Sequence, residues 1–126
     1  MSEFYYDSYA ILAYLNQSQN YVDYFIPSQG VTSFYNVLEV YYSVLREQGY
    51  EDAKKTLIYL RPIVIDPTFE DIEYAMHFKL KHKQKKLSYV DCLGYALARR
   101  MGMLFLTGDE GFKGISGVEF VKEMRV

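Results

Sequence analysis

A chain of 126 residues, half of them hydrophobic, is long enough to fill one core and short for two, so a single domain over residues 1–126 is expected. Its net charge of −2 supplies no global field that would draw in nucleic acid, so any basic contact must be local. The lone Cys92 excludes an internal disulfide, no apolar run approaches the ~20 residues of a membrane span, and the start Met-Ser-Glu-Phe-Tyr-Tyr-Asp has no signal-peptide pattern; a cytoplasmic protein that avoids the membrane is the expectation.

Glu3 to Tyr6 is aromatic and β-prone and ends at Asp7, which reads as a first strand. Ser8 is placed to cap a helix through Ala10, Ile11, Leu12, Ala13, Tyr14 and Leu15. The polar run Asn16 to Asn20 interrupts it, and Tyr21 to Ile26 fits either a short helix or a strand before Pro27. Gly30-Val31-Thr32 reads as a second strand. Ser33 then caps a helix from Phe34 to Gln48, with Val37, Leu38, Tyr41, Tyr42 and Leu45 at helical spacing and Gly49 as its stop. Glu51 to Leu60 reads as another helix and Ile63-Val64-Ile65 as a strand. Thr68 opens a helix through Ile72, Ala75, Met76 and Leu80 that grades into Lys-rich sequence. Ser88 caps Tyr89 to Met101, closed by Gly102. Met103 to Thr107 is a continuous apolar strand of the kind found inside parallel sheets. Gly108 to Gly114 is a loop, and Gly117 to Val121 a last strand. Strands alternating with helices predict an α/β fold, a three-layer α/β/α sandwich around a mostly parallel sheet.

Four acids stand out. Asp7 follows the first strand, and Asp109 follows the strand ending at Thr107; ligands of open parallel sheets bind beyond the carboxyl ends of the strands, so both face one crevice. Asp91 lies in the first turn of the helix capped by Ser88, and Glu39 about a turn and a half into the helix capped by Ser33. Glu39 sits among Val37, Leu38, Val40 and Tyr41, and Asp91 among Tyr89, Val90, Cys92 and Leu93, with no Lys or Arg adjacent to either. Carboxylates in apolar settings need a cation or donors to offset desolvation, and crowded ones raise one another's pKa. A divalent cation removes that penalty, and an oxygen-only ligand set selects Mg²⁺ or Mn²⁺ over Zn²⁺. Taken singly, the acids also fit ordinary turn and cap roles. His77 and His82 are too far along the chain to be ligands.

The segments Phe4-Tyr5-Tyr6-Asp7-Ser8, Asn36-Val37-Leu38-Glu39, Leu87-Ser88-Tyr89-Val90-Asp91-Cys92-Leu93 and Phe105-Leu106-Thr107-Gly108-Asp109-Glu110-Gly111-Phe112, in this order and at these separations, resemble a PIN domain, and within that group the VapC toxins of toxin–antitoxin pairs. The resemblance covers essentially the whole chain. It implies an α/β/α sandwich and Mg²⁺- or Mn²⁺-dependent cleavage of RNA, with Asp7, Glu39, Asp91 and Asp109 as the catalytic, metal-holding positions. It also implies Ser8 and Thr107 as hydroxyls supporting the acids, a homodimer, and a protein antitoxin as partner. A PIN-like module that binds RNA or protein without turnover is the alternative. Two residues depart from the commonest pattern: Gly94 sits inside a helix, and Glu110 adds a fifth acid beside Asp109.

Lys79 to Lys86 reads Lys-Leu-Lys-His-Lys-Gln-Lys-Lys, immediately before the Asp91 helix. Lys83, Lys85 and Lys86 are candidates to follow an RNA backbone, with Arg99 and Arg100 as weaker ones; the same run also suits a solvated helix end whose cations favour the C-terminal dipole. The 14 Tyr and 8 Phe suit either an interface or the core, with Tyr14, Tyr41 and Tyr42 as candidate interface rings.

Overall fold

The computed structural model describes residues 3–124. Five strands form one parallel sheet: β1 (Phe4–Tyr6), β2 (Gly30–Ser33), β3 (Val64–Ile65), β4 (Leu104–Thr107) and β5 (Val118–Phe120), in the order β3-β2-β1-β4-β5. Five α-helices connect them: α1 (Ser8–Leu15), α2 (Phe34–Gln48), α3 (Tyr50–Leu60), α4 (Phe69–Lys81) and α5 (Tyr89–Arg100). The chain runs outward from β1 to β2 and β3, then returns to pair β4 on the other side of β1. The β1/β4 boundary is therefore the topological switch point, where such sheets open a crevice at their carboxyl edge.

Side-chain alternation along the strands builds the three layers. Phe4, Tyr6 and Leu106 face one way and pack with Ala10, Ile11, Val37, Val40, Val44 and Leu60 from α1, α2 and α3. Tyr5 and Phe105 face the other way and pack with Ala75, Phe78, Tyr95 and Leu97 from α4 and α5, the Tyr5 and Phe105 rings stacking at 5.8 Å. The predicted α/β/α sandwich is the observed one.

Several local expectations shift. The polar Tyr21 region is neither α-helix nor strand but a 3-10 turn over Gln19–Tyr24. Asp7, not Ser8, is the capping residue of α1; Ser8 lies inside the first turn, which frees its hydroxyl for another partner. On α2 the buried residues are Asn36, Val37, Val40 and Val44, while Leu38, Tyr42 and Leu45 are exposed. The helix is turned by about one position from the expected face, because it packs through α3 as well as the sheet. Ile72 and Leu80 of α4 are likewise exposed, and Ala75 and Phe78 carry its packing. Leu104, expected to be covered, opens β4 on an exposed side chain. Ile63 lies in a 3-10 turn before β3, and α3, α5 and β5 differ by a residue at one or both ends from the expected spans, but the capping signals stand: Ser33 accepts from the Asn36 N–H, Gly49 ends α2 with φ 97°, and Thr68 and Ser88 each form a reciprocal capping box.

Gly94 has a packing reason. A β-carbon there would lie 2.8 Å from the Tyr5 ring and 3.1 Å from that of Phe105. Glycine thus lets α5 approach the centre of the sheet, and one turn earlier that approach carries Asp91 to the carboxyl edge. No helix among the described residues is long and apolar enough to cross a membrane.

Candidate metal centre at the carboxyl edge

The strand register sets the first contact. Tyr6 pairs with Leu106, so the next residues, Asp7 and Thr107, stand level at the carboxyl ends of β1 and β4. The Thr107 hydroxyl donates to Asp7 Oδ2 at 2.6 Å and accepts from the Asp109 N–H at 3.1 Å, tying both strand ends together. Asp7 is only 2% exposed, and its Oδ1 is buried with no hydrogen-bond partner. Burial, then the charge of Asp91 and more weakly that of Glu39, push its carboxyl up to about 8 against the Thr107 and Ser8 bonds that favour the anion. A carboxylate oxygen with no donor is expensive to bury, so this atom needs either a proton or a cation.

A second network holds Glu39. Asn36, fully buried in the first turn of α2, takes hydrogen bonds on Oδ1 from the Tyr5 hydroxyl at 2.5 Å and the Ser33 hydroxyl at 3.0 Å. Its Nδ2 donates to Ser8 Oγ at 2.9 Å, and Ser8 Oγ donates to Glu39 Oε1 at 2.6 Å. Two hydroxyl donors on Oδ1 set the amide's orientation, and the amide sets the direction of the Ser8 proton. Burial raises the Glu39 carboxyl; the Ser8 bond opposes this and Asp91's charge adds to it. Asn36 is a functional residue that the sequence pattern does not single out. Its place three residues before Glu39, on the same helix face, is the signal that would have found it.

Asp91 and Asp109 are held by local backbone. Asp91 Oδ2 accepts from the Ser88 N–H at 2.9 Å, and Asp109 Oδ1 from the Gly111 N–H at 2.9 Å. Burial raises the Asp91 carboxyl, helped by Asp109's charge and opposed by the Ser88 bonds and by Lys79. The four acids therefore form a chain of mutually felt charges: Glu39 and Asp7 with Asp91, and Asp91 with Asp109. Among the described residues no three Asp, Glu, His or Cys side chains close into a ready-made ligand shell. The donor types suit a hard divalent cation, and the partnerless Asp7 Oδ1 is the atom that fits one; Asp91 and Asp109 each have one oxygen committed to a cap and a second that a cap does not use.

Glu110 is excluded from this group: its side chain is 64% exposed and pairs with Lys122 Nζ at 3.3 Å. Lys122 also donates to the Gly108 carbonyl at 3.1 Å and lies over the Tyr9 ring, a basic group at the rim that sequence reading missed. Gly108 is required, because a β-carbon there would lie 2.3 Å from both the Tyr9 ring and the Val121 carbonyl.

Lys79 was placed with the run but not with the acids. In the fold it donates to the Leu87 carbonyl, lies 5.0 Å from the Tyr89 ring centre and acts on Asp91, so the acids are not without a nearby cation. Lys83, Lys85 and Lys86 are exposed, and the Lys85 carbonyl packs beside Gly111, which sets this segment along the Asp109 loop. Arg99 and Arg100 lie at the far end of α5, roughly 12 Å from Asp91 along the helix. Arg100 is fully engaged by Asp71, Nε to Oδ1 at 2.7 Å and Nη2 to Oδ2 at 3.0 Å, so it is not at the acid edge.

The PIN domain model matches residues 4–118 of the chain. No curated protein matches it significantly in sequence. Among solved structures, it is similar to a toxin–antitoxin complex from Klebsiella pneumoniae, with a TM-score of 0.80 and 17% identity over 97% of this chain and 100% of that one. VapC20 of Mycobacterium tuberculosis, described as a sarcin–ricin loop cleaving toxin, aligns with a TM-score of 0.73 and 20% identity over 98% and 100% of the two chains. DNA-bound VapBC from Salmonella typhimurium aligns with a TM-score of 0.76 and 16% identity over 97% and 98%. With the parallel sheet, the switch-point acids and the matched family model in agreement, the chain belongs to the PIN-domain family, a family of nucleases.

Proposed function

We propose that this protein is a metal-dependent endoribonuclease that hydrolyses RNA phosphodiester bonds with Mg²⁺ or Mn²⁺, and that it is the VapC-like toxin of a toxin–antitoxin pair. The single observation that carries the catalytic reading is the buried, partnerless Asp7 Oδ1 in the field of Asp91 and Glu39. When bound, a divalent cation supplies Lewis acidity that activates water for in-line attack and neutralises the leaving oxygen. The chain's own residues do the rest. Thr107 holds Asp7 Oδ2 and leaves the buried Oδ1 without a donor. Asp91 and Asp109 present their uncapped oxygens from the α5 turn and the β4 loop. Ser8, itself oriented by Asn36, holds Glu39 so that its second oxygen can steer a water or the ion. Lys83, Lys85 and Lys86 line the approach to this edge for a phosphate backbone.

The toxin role and its partners, a homodimer mate and a protein antitoxin, are inferred from the shared fold with VapC and VapBC structures. A non-catalytic PIN-like binding module is the second reading, favoured by the caps that occupy Asp91 and Asp109. Purified protein decides between them: RNA is cleaved only when Mn²⁺ or Mg²⁺ is added, and Asp7→Asn abolishes that cleavage. Absence of metal-dependent cleavage by the wild type, or full cleavage by Asp7→Asn, refutes the nuclease. Expression of the wild type arrests growth and Asp7→Asn does not. Changing Lys83, Lys85 and Lys86 to Ala lowers the salt slope of RNA binding by roughly 2, at about 0.7 per phosphate contact for a single strand; an unchanged slope removes them from the RNA path.

A further inference from the structure

The last turns of α4, the middle of α5 and the loop Gly114–Ser116 enclose a cleft of about 470 Å³ that the acid site does not use. This is within the ~300–1,000 Å³ range of small-ligand sites. Its floor is aromatic: Phe78 and Tyr95 are buried and stack at 4.4 Å, and Tyr74, 48% exposed, stands 6.4 Å from Tyr95. Its rim is basic in type: Lys81, His77 and His82 line it, the His82 ring 4.5 Å from Phe78. Both histidines of the chain are here, and none of its 16 acidic residues lines the cleft. The wall is fixed, because the Tyr95 hydroxyl donates to the Ser116 carbonyl at 2.7 Å.

Other surface clefts lack this combination. One mixes Glu70 and Asp71 with Arg99 and Arg100, already paired. Another, around Phe69, Ile72 and Leu93, has no charged group. The exposed Tyr74 ring can stack on a flat base, and Lys81 with the imidazole N–H groups of His77 and His82 can take a phosphate, so the chemistry matches a nucleotide. In the chain the lysine segment follows directly on the cleft: His82 lines it, Lys83 to Lys86 come next, and the Lys85 carbonyl lies beside Gly111 of the Asp109 loop.

We propose that this cleft holds a nucleotide of an RNA strand, its base against the exposed Tyr74 ring and its phosphate at Lys81, with the backbone continuing along Lys83–Lys86 to the acid edge. It is a second RNA contact away from the cut site, and it rests on the RNA reading given above. Specificity would then depend on bases several positions from the scissile bond.

The histidines provide a reporter independent of cleavage. In EDTA, the imidazole proton signals of the full-length protein are followed by NMR, each assigned with a His77→Asn or His82→Asn variant. A single-stranded RNA of ~12 nucleotides, within the usual span of strand-binding grooves, shifts both signals, and adenosine monophosphate at the same concentration does not. Tyr74→Ala combined with Lys81→Ala, both exposed positions whose fold is checked by melting, weakens binding of that RNA roughly tenfold. Histidine signals that stay put at saturating RNA, or equal affinity in the double variant, overturn the proposal. Equal shifts with adenosine monophosphate overturn it too and assign the cleft to a free nucleotide. If the histidines respond but the wild type cuts nothing with Mn²⁺, the nuclease reading fails and the cleft contact stands. If RNA is cut and the histidines are silent, the reverse holds.

Discussion

The four acids at the carboxyl edge divide into two pairs that are held in opposite ways. Asp91 and Asp109 each give an oxygen to a nearby backbone N–H, a task any capped helix or turn requires. Glu39 has no such local task, and Asp7, although it precedes the first turn of α1 and feels the Ser8 N–H, leaves its Oδ1 without a donor. They are held by side chains from distant segments: Thr107 for Asp7, and the Tyr5–Asn36–Ser8 line for Glu39. The first pair would be stable in a protein of any function. In the second, Asp7 keeps a buried oxygen that no donor of the fold reaches. A cluster of acids is thus best judged by asking which members the fold needs for itself, and Asp7 is the one it needs least.

The largest test of this contrast is Asp7→Asn. Loss of even an outer partner costs 10–100-fold at metal sites, so losing a ligand is expected to lower metal-dependent cleavage by more than about 100-fold. Without metal the same variant melts higher than the wild type, because the cost of burying an acid there, as an anion or by taking up a proton, is gone. The pH dependence has a definite sign. Asp7, Glu39 and Asp91 all carry raised carboxyls, so the folded chain keeps protons that the unfolded chain has lost. Metal-free stability therefore falls as pH rises from the ordinary carboxylate range near 4 toward about 8. Excess Mn²⁺ flattens that fall, and Asp7→Asn reduces it; a flat metal-free melting profile across this window contradicts the repulsion.

Asn36→Ala tests the line to Glu39. It strands the buried Tyr5 and Ser33 hydroxyls, for a loss of about 1–3 kcal/mol in denaturant unfolding, and it releases Ser8, for a roughly 10–100-fold drop in cleavage. A variant that unfolds more easily yet cleaves normally would reduce Asn36 to a core residue. The smallest effect separates cap from charge at Asp91. Asp91→Asn and Asp91→Ala both remove the charge, but only Asn keeps an oxygen for the Ser88 N–H. Their melting should differ by about 0.3–1.5 kcal/mol in favour of Asn, while both lose cleavage. Equal stability would mean the capping bond contributes little.

Much of this was legible in the chain. Ser33, Thr68 and Ser88 announce helix starts through their own hydroxyls, and Gly49 a helix end through the left-handed backbone that glycine tolerates. Those signals are local, so they survived. The exposed face of α2 was misplaced by about one position because α3 covers part of that helix, and residues 34–48 contain no sign of it. Ser8 was read as a cap for the same reason: its true partner, Glu39, is 31 residues away.

By itself, the sequence determined the alternation of strands and helices, the oxygen-only set of acids and their positions at strand ends and helix starts, because periodicity and capping act within a few residues. Only the tertiary structure decided which oxygen of Asp7 is left without a donor, that Glu110 turns out to Lys122, that Asn36 orients Ser8, and that Lys79 reaches Asp91. Each of these depends on the order β3-β2-β1-β4-β5, which brings residues a hundred positions apart into hydrogen-bond range and which no local pattern encodes.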